Sequence, residues 1–72
     1  MTSILNTVAL GQLIKAERIA TGFSQTQTAE RAGVGSRFLS ELENGKPTVQ
    51  MDKVLQVLKY LNLELMVVKV KE

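Results

Sequence analysis

Nothing in this 72-residue sequence assembles into a catalytic set. It has no His and no Cys, so there is no imidazole base, no thiolate, no disulfide staple and no ordinary zinc site. It also lacks a glycine-rich phosphate loop, and Glu41 and Glu43 point to different sides of any helix that holds them. No enzyme, metal or cofactor is expected. The side chains that stand out are suited to recognition by hydrogen bonding, and they crowd into the run SQTQTAERAGVGSRFLSELENGK, Ser24 to Lys46. Arg37 offers a planar fork that donates two parallel bonds, Glu41 accepts, and Ser36 and Ser40 can do either.

Two short helices and a tight turn must position these groups. Ser24 is a good N-cap, and Gln25 to Arg31 is free of Gly, Pro and bulky apolar residues. Ala29 and Ala32 give this helix a small face that can sit close against a neighbour. Gly33 supplies the positive φ that ends it, and Val34 is the apolar plug of the turn. A second helix runs from about Ser36 to Asn44, with Phe38, Leu39 and Leu42 inward and Arg37, Ser40 and Glu41 outward. Asn44-Gly45 stops it, and Pro47 disfavours a restart. Helix, Gly-centred turn, helix is the geometry of the DNA-binding helix-turn-helix.

With Ser24-Gln25, Ala29-Glu30, Gly33-Val34, Leu39-Ser40 and Leu42-Glu43-Asn44-Gly45-Lys46 in register, the region from Leu10 to Leu61 closely resembles the Cro/phage-repressor (XRE) class of helix-turn-helix domains. The resemblance implies a mainly α, four-helix, lambda-repressor-like fold whose helix 36–44 lies in the major groove of double-stranded DNA. Carried over position by position, the base-facing candidates are Ser36, Arg37, Ser40 and Glu41. Arg37 suits the O6 and N7 of a guanine, and Glu41 suits a cytosine amino group or restricts register by repelling phosphate. Phosphate contacts are expected from Ser24, Gln25, Thr26 and Gln27, where free amides and the helix dipole favour an anion, and from Asn44 and Lys46. Lys15 and Arg31 lie on less certain faces. Arg18 is expected to pair with Glu43, tying the first helix to the recognition helix; the alternative is two ordinary surface charges. Three positions depart from the class: Thr28 stands where a large apolar residue is usual, Ala32 where Leu is common, and Gly35 where Ser or Thr often caps. The first two imply a lighter core, filled by Phe38 or Phe23, and the third suggests that Ser36 takes over capping.

The flanking elements follow from periodicity. Asn6 or Thr7 caps a first helix to about Thr21, with Leu10, Leu13, Ile14 and Ala20 or Thr21 on its apolar side and Gly22 closing it. After Pro47, a fourth helix from about Met51 to Asn62 carries the stripe Met51, Val54, Leu55, Leu58 and Leu61. Then the composition changes. Leu63, Leu65, Met66, Val67, Val68 and Val70 make a β-branched, apolar stretch that reads as a strand. A helical monomer offers it no sheet, so pairing with the same strand of a second copy, antiparallel across a two-fold axis, is the economical arrangement. The alternative is a fifth helix. This tail on a repressor-like body resembles the HipB-like antitoxins, which repress their own operon together with a HipA-type kinase toxin.

The chain is therefore expected to divide into a loose N-terminal segment, residues 1–7, a DNA-binding domain, 8–62, and a dimerisation strand, 63–72. A core this small is marginal alone, since about 60% of the unfolded surface is buried at such lengths, and a homodimer would supplement it. Net charge is only +2, so any basic footprint must come from clustering. No apolar run approaches the ~20 residues of a membrane span and no secretory signal pattern is present, which makes the cytoplasm the expected compartment. The leading reading is a dimeric repressor of a palindromic operator, an antitoxin of a type II toxin–antitoxin pair. The alternatives are a stand-alone phage-type repressor and an interaction module that recruits a partner through the strand.

Overall fold

The computed structural model describes residues 3–71 and contains four helices: α1 Thr7–Thr21, α2 Gln25–Ala32, α3 Ser36–Glu43 and α4 Met51–Tyr60. Each begins and ends for a local reason. The Asn6 side chain accepts from the Ala9 amide at 2.8 Å to start α1. Ser24 and Gln27 form a reciprocal capping box on α2, the Ser24 hydroxyl accepting from the Gln27 amide and the Gln27 carboxamide accepting from the Ser24 amide. Gly35 caps α3 through its backbone alone, with no side-chain bond, so Ser36 does not take over the cap and its hydroxyl is left for other partners. The ends of α2, α3 and α4 are Schellman turns. In α2, Val34 N–H donates to Ala29 at 2.9 Å, and in α4, Leu63 N–H donates to Leu58 at 2.8 Å around Asn62 at φ 59°.

The core is Ile14 of α1, Ala29 of α2, Leu39 and Leu42 of α3, and Val54, Val57 and Leu58 of α4, with Leu10, Ala32, Val34, Phe38, Val49, Leu61 and Leu63 packed around it. The stripe on α4 is rotated from the one expected. Val57 is fully buried, whereas Met51 and Leu55 are half exposed. Both rows satisfy helical spacing, and packing decides between them: Val54, Val57 and Leu58 join Ile14, Ala29, Leu39 and Leu42 of the other helices in the core, and the Gln56 carboxamide donates to the Ala32 carbonyl of α2 at 3.3 Å. On α1, Ala20 and Thr21 are exposed, and burial stops at Ile14 except for the half-buried Glu17 and Arg18.

The approach of α1 to α3 depends on a residue that periodicity does not mark. Gly11 is buried, and a Cβ there would collide with the Leu42 carbonyl oxygen and stand 2.7 Å from that of Glu43. Those atoms are backbone and cannot move aside.

The strand expected at 63–70 is not formed. Residues 63–71 have no regular secondary structure, and the exposed Leu65, Met66, Val67, Val68 and Val70 lie along them. A strand needs a second strand to bond with, and the described residues supply none. Of the segments expected at the chain ends, Met1, Thr2 and Glu72 lie outside the described residues. Among the described residues, no helix is long and apolar enough to cross a membrane.

Two substitutions test this packing. Gly→Ala inside a helix ordinarily stabilises by about 0.5–1 kcal/mol; Gly11→Ala is expected to destabilise instead, by about 1–3 kcal/mol, because overpacking against fixed carbonyls outweighs the propensity gain. Thr28 is fully buried and its hydroxyl has no hydrogen-bond partner. Thr28→Val is expected to stabilise by about 1 kcal/mol by removing an unsatisfied polar group. Urea unfolding followed by circular dichroism measures both.

Candidate nucleic-acid interface

α3 presents its polar face because residues 36, 37, 40 and 41 fall on one side of an eight-residue helix whose other side, Leu39 and Leu42, enters the core. Ser36 and Arg37 are exposed, the Arg37 side chain at 92%, and Ser40 and Glu41 are half-buried beside them. Glu41 is not free. Its Oε2 lies 3.2 Å from Lys46 Nζ and 3.9 Å from Arg37 Nε. Asn44, the C-cap residue, is exposed at the end of the helix.

α2 contributes its N-terminus. The N–H groups of Gln25 and Thr26 have no carbonyl four residues back within the helix, and Thr26 is exposed. Ser24 and Gln27 are also exposed, although their side chains are committed to the capping box. Gln25 is more constrained. Its Nε2 donates to Glu43 Oε1 at 2.9 Å, which leaves its second N–H for another acceptor.

Behind the polar face, the structure joins α1, α2 and α3 at one carboxylate. Arg18 Nε donates to Glu43 Oε2 at 2.6 Å, and Nη2 donates to Oε1 at 3.0 Å. The Glu43 side chain is 1% exposed and that of Arg18 is 11%. A third donor of the same guanidinium, Nη1, bonds the Phe23 carbonyl at 3.0 Å, in the link between α1 and α2. The hydrogen bond that Arg18 donates to the Glu43 carboxylate raises the guanidinium pKa above its ordinary value, against a lowering by burial. Arg31, further along α2, stacks over the Phe23 ring at 4.2 Å and so covers the same link from outside.

Sequence reasoning missed three members of this arrangement. The bond between Gln25 and Glu43 joins residues 18 apart in the chain and has no local signature. The ion pair between Glu41 and Lys46 depends on how α3 ends. Gly11 resembles any tolerated helix glycine until α3 is laid against it.

Two helices joined by a Gly turn, the second exposing a polar face and locked to its neighbours from behind, make a helix-turn-helix DNA-binding domain. The chain belongs to the helix-turn-helix family whose model matches residues 14–67, and it is a helix-turn-helix transcriptional regulator of the XRE type. It is 48% identical over 52 residues to the uncharacterized HTH-type transcriptional regulator y4mF of Sinorhizobium fredii (strain NBRC 101917 / NGR234), covering 72% of this chain and 68% of that protein. The ImmF control region 10 kDa protein of Bacillus phage phi105 is 33% identical over 63 residues, covering 88% of this chain and 70% of that one. A chain of the solved HipA-HipB-O2-O3 complex superposes with a TM-score of 0.87 over 99% of this chain and 100% of that one; at 21% identity, this is a likeness of fold.

The buried pair carries its own prediction. Glu43→Ala is expected to cost about 3–5 kcal/mol, because it strands the desolvated Arg18 guanidinium, whereas Arg18→Met with Glu43→Leu should recover most of that loss. Chemical denaturation of the two variants gives the comparison.

Proposed function

We propose that this regulator is a sequence-specific repressor that binds a palindromic operator as a homodimer. The observation that carries the reading is the exposed face of α3, Ser36, Arg37, Ser40 and Glu41, held rigidly by the Glu43 carboxylate beneath it. Arg37 reads a guanine through its two-donor fork, and Ser36, Ser40 and Glu41 meet neighbouring base edges. Ser24, Gln25, Thr26 and Gln27 on one side, and Asn44 and Lys46 on the other, hold the phosphate backbone and set the register.

The exposed apolar tail supports the second half of the reading. Leu65, Met66, Val67, Val68 and Val70 pair with their counterparts in a second copy, which forms the strand that a monomer cannot, while Leu63 stays packed against the core of its own chain. The fold shared with a chain of the HipA-HipB-O2-O3 complex favours an antitoxin that also engages a HipA-type kinase toxin and represses its own operon. Likeness to the ImmF control region 10 kDa protein of Bacillus phage phi105 favours instead a stand-alone phage-type repressor. A kinase-like reading frame beside the gene decides between these two.

Arg37→Ala is expected to weaken operator binding by about 1–3 kcal/mol and to relax preference at one base position. Fluorescence anisotropy against a panel of single-base operator variants reads this out, and equal loss on every sequence would make Arg37 a phosphate contact. Removal of residues 63–72 is expected to give a monomer in sedimentation analysis, with much weaker operator binding. A truncated protein that is still dimeric would place the dimer contact elsewhere.

A further inference from the structure

The end of α3 brings a cation back over the helix's own recognition face. Gly45, at φ 79°, lets the chain reverse, its N–H bonding the Leu42 carbonyl at 3.1 Å, and the Lys46 N–H then bonds the Glu41 carbonyl at 3.0 Å. These are the two bonds of a Schellman turn, and they place residue 46 beside residue 41 whatever their side chains. A Cβ on Gly45 would meet Val8 of α1 at 2.8 Å, and Thr7 of α1 donates to the Gly45 carbonyl at 2.9 Å, so the turn is fixed from both sides. Across this rigid turn Lys46 Nζ reaches Glu41 Oε2 at 3.2 Å, while Arg37 Nε stands 3.9 Å from the same oxygen. One carboxylate thus faces the two cations that α3 and its turn offer to DNA.

An exposed ion pair of this kind adds little to the fold. Its effect on binding is another matter, because affinity for arbitrary duplex comes almost wholly from cations meeting phosphates. We propose, resting on the DNA-binding reading above, that Glu41 is a specificity residue that acts by withholding Lys46 from the DNA backbone. On unrelated sequence, moving Lys46 to a phosphate takes away the nearer of the two cations and leaves the Glu41 carboxylate in a strongly negative groove with only Arg37 Nε at 3.9 Å, so the exchange is unfavourable. On the operator, a base amino group facing Glu41 replaces the lysine as donor, and Lys46 is released to a phosphate. The regulator gains a backbone contact only where the sequence is right, and a net charge of only +2 keeps the remaining non-specific attraction low.

The test is anisotropy titration of wild type, Glu41→Gln, Lys46→Ala and the double variant, each against operator and shuffled duplex at 50 and 200 mM salt, with circular dichroism to compare folds. Glu41→Gln keeps an acceptor for a base amino group but releases the lysine. Its affinity for shuffled duplex is expected to rise, with a gain that shrinks about threefold to fourfold between the two salts, the signature of one added phosphate contact. Operator affinity changes less, so discrimination falls, and in the Lys46→Ala background the gain disappears. A gain that persists without Lys46 would show simple through-space repulsion and overturn the proposal. So would a loss confined to the operator, which would make Glu41 a base reader alone, or no change on either duplex. Wild type that fails to distinguish the two duplexes would instead remove the DNA-binding reading itself, and the proposal with it.

Discussion

The structure depends on one buried carboxylate. Glu43 sits at the end of α3 with its side chain almost wholly removed from water, and a charge in that position is tolerated only because three donors converge on it. Two come from Arg18 on α1 and one from Gln25 at the start of α2, so a single charge fixes three helices relative to one another. α1 can come close enough only because Gly11 has no side chain where it crosses the Leu42 and Glu43 carbonyls. Ion pair and glycine are therefore one device: remove the close approach and Arg18 is no longer held against Glu43.

What that device achieves is a rigid base for a short helix. Eight residues of α3 would not be stable alone, since isolated helices below ~12–15 residues are marginal in water. Leu39 and Leu42 anchor its inner side in the core, Glu43 pins its last turn, and the Schellman turn through Gly45 defines its end against α1. The polar outer face is then presented with little conformational freedom left to lose on binding, which is the condition for recognition by a few side chains. The same turn sets the spacing of Lys46 from Glu41, so the packing that stabilises the domain also sets the charge pattern its partner meets.

Much of this was legible in the chain itself. Ser24, Gly33 and Gly45 mark the helix ends through local chemistry, and each acts as its residue type requires, while Asn6 caps α1 as one of two candidates. Local chemistry could not rank the two apolar rows of α4, because Leu55 and Val57 fit helical spacing equally well and only the packing of the other helices puts Val57 in the core. Nor could it predict that Gln25 turns inward to Glu43, a contact made after the helices pack. The tail shows a different limit. Its β-branched composition is plain, but a strand is a property of a pair, and in one chain residues 63–71 have nothing to pair with.

In the proposed complex the outer face of α3, set between the N-terminus of α2 and Lys46, is the surface that meets DNA. Amide chemical-shift mapping by heteronuclear NMR, with duplex from the gene's own upstream region added to the labelled protein, tests it most directly. The largest shifts are expected at residues 24–27, 36–41 and 44–46, with the outer side of α1 around Lys15 and Ile19 almost unmoved. Shifts centred on α4 and residues 63–71, with α2 and α3 silent, would contradict it.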